Sequence, residues 1–175
     1  MISPKNLDYS KYIGWGWKEP NSHIYLEHIS EYFEGLKFIH VIRHGLDMAY
    51  SKNQQQLFNW GHFLGVDIPS IADLLPKAAL EYWIVANKRA IAIGELLGTN
   101  KFLLLNFDKL CSSPRTEVIK ITNFLQLDIK ELDETRLYSF LKTPASTGRY
   151  KENDLSIFTR EDIENVRQLG FEIEI

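Results

Sequence analysis

One stretch limits the folds open to this chain: Lys37-Phe38-Ile39-His40-Val41-Ile42-Arg43-His44-Gly45-Leu46-Asp47-Met48-Ala49-Tyr50-Ser51. Residues 37–42 are a short apolar, β-branched run, the pattern of a buried strand. Arg43 stands where that run ends. Gly45 breaks it, and Asp47 can cap or charge the first turn of a helix. Ser51 follows Arg43 at a distance that places it about one turn into the helix. A strand that ends in a cation and feeds a helix suits an anion. The guanidinium forks onto phosphate oxygens, the helix end offers free N–H groups, and a hydroxyl adds a donor. Open α/β sheets bind ligands at this edge, beyond the carboxyl ends of their strands. Spacing alone favours a plainer reading, a surface arginine and an ordinary helix serine.

The rest of the chain supplies helices and a second strand. Residues 1–13 have no clear period and read as an irregular lead-in. Gly14-Trp15-Gly16-Trp17-Lys18-Glu19-Pro20 reads as a short strand closed by proline. Asn21 or Ser22 is placed to cap a helix with a wide apolar face, which Gly35 stops. Residues 53–75 read as a mobile excursion with one or two short helices, of the kind that often carries substrate contacts. Pro76 opens a long helix to about Leu97, with Leu80, Trp83, Ile84, Asn87, Ile91, Gly94 and Leu97 on one face. Gly98 ends it. Lys101-Phe102-Leu103-Leu104-Leu105-Asn106 is a second continuous apolar strand, expected to be buried on both faces. Pro114 opens a helix with Val118, Ile121, Thr122 and Leu125 on one side. Residues 128–147 alternate between helix and loop. Thr159 and Asp162 form a capping pair for a last helix that runs to Gly170. Helices alternating with buried strands predict an α/β domain with a parallel sheet flanked by helices.

Composition narrows the function classes. The 175 residues fit one domain, here read as 1–175. The net charge of −3 argues against a broad nucleic-acid footprint, although a local basic pocket is compatible with it. Cys111 is the single cysteine, which excludes an internal disulfide and suggests no thiol-based metal site. It reads as a buried, inert thiol. No apolar run approaches a membrane span, and Met1-Ile2-Ser3-Pro4-Lys5-Asn6 lacks the apolar core of a signal peptide. The expectation is a soluble, reduced, cytoplasmic protein.

The wording of the central stretch adds to the spacing. "FIHVIRHGLDMAYS" resembles the 3′-phosphate-binding segment of sulfotransferases that use 3′-phosphoadenosine 5′-phosphosulfate (PAPS). The resemblance implies that Arg43 and Ser51 grip the nucleotide 3′-phosphate. His44 is a mild departure, since many members have Asp or Asn there. "GWKEPNS" resembles the family's Lys-x-Pro segment, which implies that Lys18 contacts the bridging oxygen and the moving sulfuryl group. "FLLLNFDKL" resembles the strand that ends in Tyr-Glu-Asp-Leu. That implies a place for the Phe107 ring near the adenine, with the usual hydroxyl lost. "SSPRTEVIKITNFLQLDI" resembles the scaffold helix after that strand, with Gln126 in place of a glycine. "TGRYKENDLS" resembles the late Gly-Arg-Trp-Lys type segment, which implies that Arg149 and Lys151 add positive charge around the nucleotide. The implied fold is the sulfotransferase form of the P-loop nucleoside-triphosphate-hydrolase-like, three-layer sheet. The implied donor is PAPS, and no metal is required.

One expected piece is missing. The family's Pro-(Arg/Lys)-Ser-Gly-Thr-(Thr/Ser) loop, whose amides cradle the 5′-phosphosulfate, has no counterpart in residues 1–36. Its absence makes the chain read as the C-terminal two-thirds of such a domain, truncated at the N-terminus. It also leaves the 37–42 strand with an open edge, to be covered by self-association or by a missing N-terminal segment. Two functions follow. The first is sulfuryl transfer from PAPS to a hydroxyl or amine on a small-molecule, carbohydrate or peptide acceptor. The second is a non-catalytic remnant that binds a nucleotide or a partner protein. His23, His28, His40, His44 and His62 are bases on paper, and none is singled out. Trp15, Trp17, Trp60 and Tyr82 suit either an acceptor pocket or a core.

Overall fold

The computed structural model describes residues 14–128 and 133–174. The lead-in expected over 1–13 lies outside the described residues, as do residues 129–132 of the variable segment 128–147.

The two apolar runs become strands β1 (Phe38–Ile42) and β2 (Phe102–Asn106). They pair in parallel, with Phe38 opposite Phe102 and Ile42 opposite Asn106. Parallel pairing requires a crossover. The chain supplies it as α2 (Gly45–Ala49), α3 (Gln55–Trp60), two 3-10 turns at His62–Leu64 and Ala72–Leu74, and α4 (Leu75–Leu97). Pleating sends alternate side chains to opposite faces. His40 and Phe102 face α4: His40 donates from Nε2 to Asn87 Oδ1 at 2.9 Å, and the Phe102 ring lies against Gly94. Ile39 and Leu105 face the other way, packing with Val118 and Ile121 of α6 (Pro114–Leu125). The sheet therefore lies between helical layers, as the α/β reading expects. Before it comes α1 (Leu26–Tyr32), and after β2 comes α5 (Phe107–Ser112). The chain closes with α7 (Glu134–Phe140) and α8 (Arg160–Gln168).

The largest core cluster lies where β1 ends. Ile42, Leu46 and Ala49 meet Leu80, Trp83 and Ile84 of α4, and Tyr150, Phe158, Ile163, Val166 and Phe171 close over them. Each fully buried large apolar side chain there contributes about 1.5–3 kcal/mol. The segment from Tyr150 to Phe171 is thus folded back onto the turn after Arg43. Among the described residues, no helix is long and apolar enough to cross a membrane.

Several local expectations are corrected. Residues 14–19 are irregular, because Trp15 and Trp17 stack on each other, pack edge-on and tilted against Phe33, and do not enter the sheet. Neither Asn21 nor Ser22 caps a helix. Turns occupy 20–25, and α1 begins at Leu26 with no side-chain cap. It stops at Tyr32, before Gly35, where Phe33 turns extended. β2 is not buried on both faces: Leu105 is buried, but Leu104 is 39% exposed. Among the described residues each strand pairs only with the other, so one edge of each lacks a strand partner, and Val41 on β1 is 49% exposed. Cys111 is partly exposed. The capping pair of α8 forms in both directions: Thr159 Oγ1 accepts from Asp162 N at 3.1 Å, and Asp162 Oδ2 accepts from Thr159 N at 2.8 Å.

Candidate anion site at the strand ends

The parallel register builds the site. Ile42 lies opposite Asn106, so the residues that follow, Arg43 and Phe107, leave the sheet side by side. The Arg43 guanidinium lies over the Phe107 ring, 5.2 Å from its centroid, as a cation–π pair. Nη2 of Arg43 donates to Ser146 Oγ at 3.1 Å. Its Nε is buried and has no hydrogen-bond partner. An unsatisfied buried donor costs about 1–3 kcal/mol, and a charged one more. This guanidinium is therefore pinned in orientation while keeping unused donor capacity.

The turn after Arg43 is held from three directions. His44 N donates to Asp108 Oδ2 at 2.9 Å, which ties the turn to α5. His44 Nδ1 accepts from Leu46 N at 3.3 Å, so His44, and not Asp47, caps α2. Its Nε2 donates to Glu172 O at 3.0 Å, and its ring stacks on Tyr150 at 4.7 Å. These partners call for the neutral tautomer protonated on Nε2.

Asp47 is only 3% exposed and turns from its own helix to a distant loop. Its Oδ2 accepts from Gly148 N at 2.7 Å, and its Oδ1 accepts from Tyr150 N at 3.1 Å. Gly148 has φ +80°, a left-handed conformation that favours glycine. The bonds bring the 3-10 turn Arg149–Glu152 against α2. Arg149 donates from Nε to Ser146 O at 3.3 Å and from Nη1 to Tyr50 O at 3.4 Å. Ser51 comes next in the chain. It lies beyond the end of α2, not one turn into it, because the helix closes at Tyr50. Its Oγ accepts from Asn53 N at 3.3 Å.

Of the six residues singled out from sequence, Arg43 and Arg149 both bond Ser146, Phe107 lies under the Arg43 guanidinium, and Ser51 follows Tyr50, whose carbonyl accepts from Arg149. Lys151 turns away to Glu174, with Nζ 2.6 Å from Oε2. Lys18 is exposed on the irregular segment before Pro20. Ser146 and Asp108 escaped the sequence reading. Their only signals are a serine two places before Gly148 and an acid after Phe107, both common in turns.

Other titrating groups are muted. Burial, then the Asp108 carboxylate, raises the Cys111 pKa, so the thiol stays protonated at neutral pH. His40 is held down to about 4, chiefly by burial. His23 is lowered for the same reason; it sits in a turn, not on a helix. Of the candidate acceptor aromatics, Tyr82 is core, Trp60 donates to Asn21 Oδ1 at 2.7 Å, and Trp15 and Trp17 are exposed. Among the described residues no group of His, Cys, Asp or Glu is arranged to hold a metal.

A family model described as the sulfotransferase family matches residues 4–131. The chain belongs to the sulfotransferase family. That match contains Lys18, Arg43, Ser51 and Phe107, while Arg149 and Lys151 lie beyond it. The chain is similar to a solved structure, the sulfotransferase domain from the Synechococcus PCC 7002 olefin synthase, with a TM-score of 0.61 and 18% identity. The likeness covers 89% of this chain and 58% of that one. At this identity it shows the sulfotransferase fold, and this chain spans little more than half of that domain's length. No curated protein matches the chain significantly.

Proposed function

We propose that this chain grips the 3′-phosphate of PAPS and works in the transfer of a sulfuryl group to a hydroxyl or amine acceptor. The observation that carries the reading is Arg43: a guanidinium at the carboxyl end of a parallel strand, pinned by Phe107 and Ser146, with a buried donor left over. A planar fork with spare N–H groups fits a phosphate. Arg43 and the Ser51 hydroxyl hold that phosphate, and Arg149 adds positive charge beside it, while Lys151 stays paired with Glu174. The Phe107 ring lies near the adenine. PAPS, when bound, supplies the sulfuryl group and the phosphate that leaves. Lys18 stabilises the charge that develops on the bridging oxygen, and most of the catalysis is positioning and electrostatics. The acceptor is a small molecule, carbohydrate or peptide.

Calorimetry with 3′-phosphoadenosine 5′-phosphate tests the first claim. Arg43→Ala is expected to weaken binding by about 1.5–3 kcal/mol, roughly 10- to 150-fold, the range for hydrogen bonds to charged groups. Failure of the folded wild type to bind, or equal binding by the variant, overturns it.

A further inference from the structure

We infer that Asp47 is a positioning residue: its buried carboxylate holds the 146–150 segment over α2 and so brings Ser146 to Arg43 and Arg149 alongside Ser146. The inference rests on the nucleotide reading above, and its structural half stands on geometry alone.

Asp47 occupies the third position of a five-residue helix whose cap is already supplied by His44, so it is not needed for capping. It spends both oxygens on amides about a hundred residues away, Gly148 and Tyr150. These amides flank Arg149. With both neighbours fixed, the Arg149 side chain is restricted to the side where it meets Ser146 O and Tyr50 O. Ser146 lies two residues before Gly148 and accepts a hydrogen bond from Arg43. A carboxyl group buried this far is costly unless its oxygens accept hydrogen bonds. Here the two backbone N–H groups donate them. Apolar packing by Tyr150 in the main core adds to the clamp. Without Asp47, the packing holds Tyr150, but nothing fixes the amide of Gly148, and the segment carrying Ser146 and Arg149 gains freedom. An anion bound there then has to order it, which lowers apparent affinity.

The test uses the whole chain and two readouts. Amide hydrogen exchange on the unliganded wild type is expected to show protected Gly148 and Tyr150 amides. Asp47→Asn, which turns one acceptor into a donor facing an N–H, is expected to expose them and leave β1 amides protected. Rapid exchange at both amides in the wild type overturns the clamp without any variant. Calorimetry with 3′-phosphoadenosine 5′-phosphate then tests positioning. Asp47→Asn is expected to weaken binding about tenfold in the wild type and less than about twofold when Ser146→Ala and Arg149→Ala are already present. The same loss in both backgrounds overturns positioning, because Asp47 would then act through something other than those two side chains. If the wild type does not bind, the nucleotide reading fails, and exchange in the unliganded chain still decides whether Asp47 holds the segment.

Discussion

His40 lies on β1 and Arg43 stands three residues on, just past its end, and the two face opposite electrostatic fates. Arg43 reaches the strand end, where a ring and a hydroxyl orient its charge without neutralising it. His40 points into the sheet–helix interface, where burial, helped by repulsion from His23, holds its pKa down to about 4 against the raising effect of its Asn87 bond. The folded pKa lies below the ordinary 6.5, so between these values the unfolded chain takes up a proton that the folded chain refuses. Stability is fully present above about 6.5 and falls as pH drops towards 4, by up to about 1.4 kcal/mol per pH unit from this group. His23, also lowered by burial, acts in the same direction. Urea unfolding between pH 7 and 4.5 is expected to show the loss, and His40→Gln to flatten it. A slope unchanged in the variant assigns the acid sensitivity elsewhere.

Elements here survive by packing. α2 has five residues, too few to stand in water. It persists because Leu46 and Ala49 are core, and because the Gln54 amide, from the start of the excursion, shares its protons among the carbonyls of Met48, Ala49 and Ser51. α4 is the opposite case, long and opened by a proline near its start as the sequence predicts. Its placement depends on Gly94, where a Cβ would stand 2.4 Å from the Phe102 ring. Gly94→Ala is therefore expected to cost about 1–3 kcal/mol through overpacking, despite alanine's better helix propensity. Chemical denaturation checks the sign: stabilisation would mean that the helix and β2 separate easily.

At the scale of the molecule, the C-terminal segment completes the site's foundation. Phe171 packs edge-on to His44 and Trp83, and Glu172 O accepts from His44. Phe171→Ala is expected to cost about 3–5 kcal/mol, read as a lower urea midpoint, because it opens a cavity beneath the Arg43 turn. A loss well below 1 kcal/mol would show the tail to be an independent flap. The strand–arginine–helix wording at 37–51, the long helix from Pro76 and the second apolar run were legible because each is local, written in hydrophobic period and in proline and glycine. Arg43 was legible for the same reason. The segment 14–17 misled, since alternating bulky residues suit a strand but also stack on one another. Ser51 misled because α2 ends at Ala49, two residues before it, and helix boundaries depend on the cap. Ser146, Asp108 and the bonds of Asp47 were invisible, because they join positions up to about a hundred residues apart: Asp108 and Asp47 meet backbone amides, which leave no mark in residue type, and the Ser146 hydroxyl carries no mark of its partner. Local residue pattern was enough for the α/β class and for the cation at the strand end. The loop that this cation meets depends on parallel register and a buried carboxylate, which act between positions far apart in the chain.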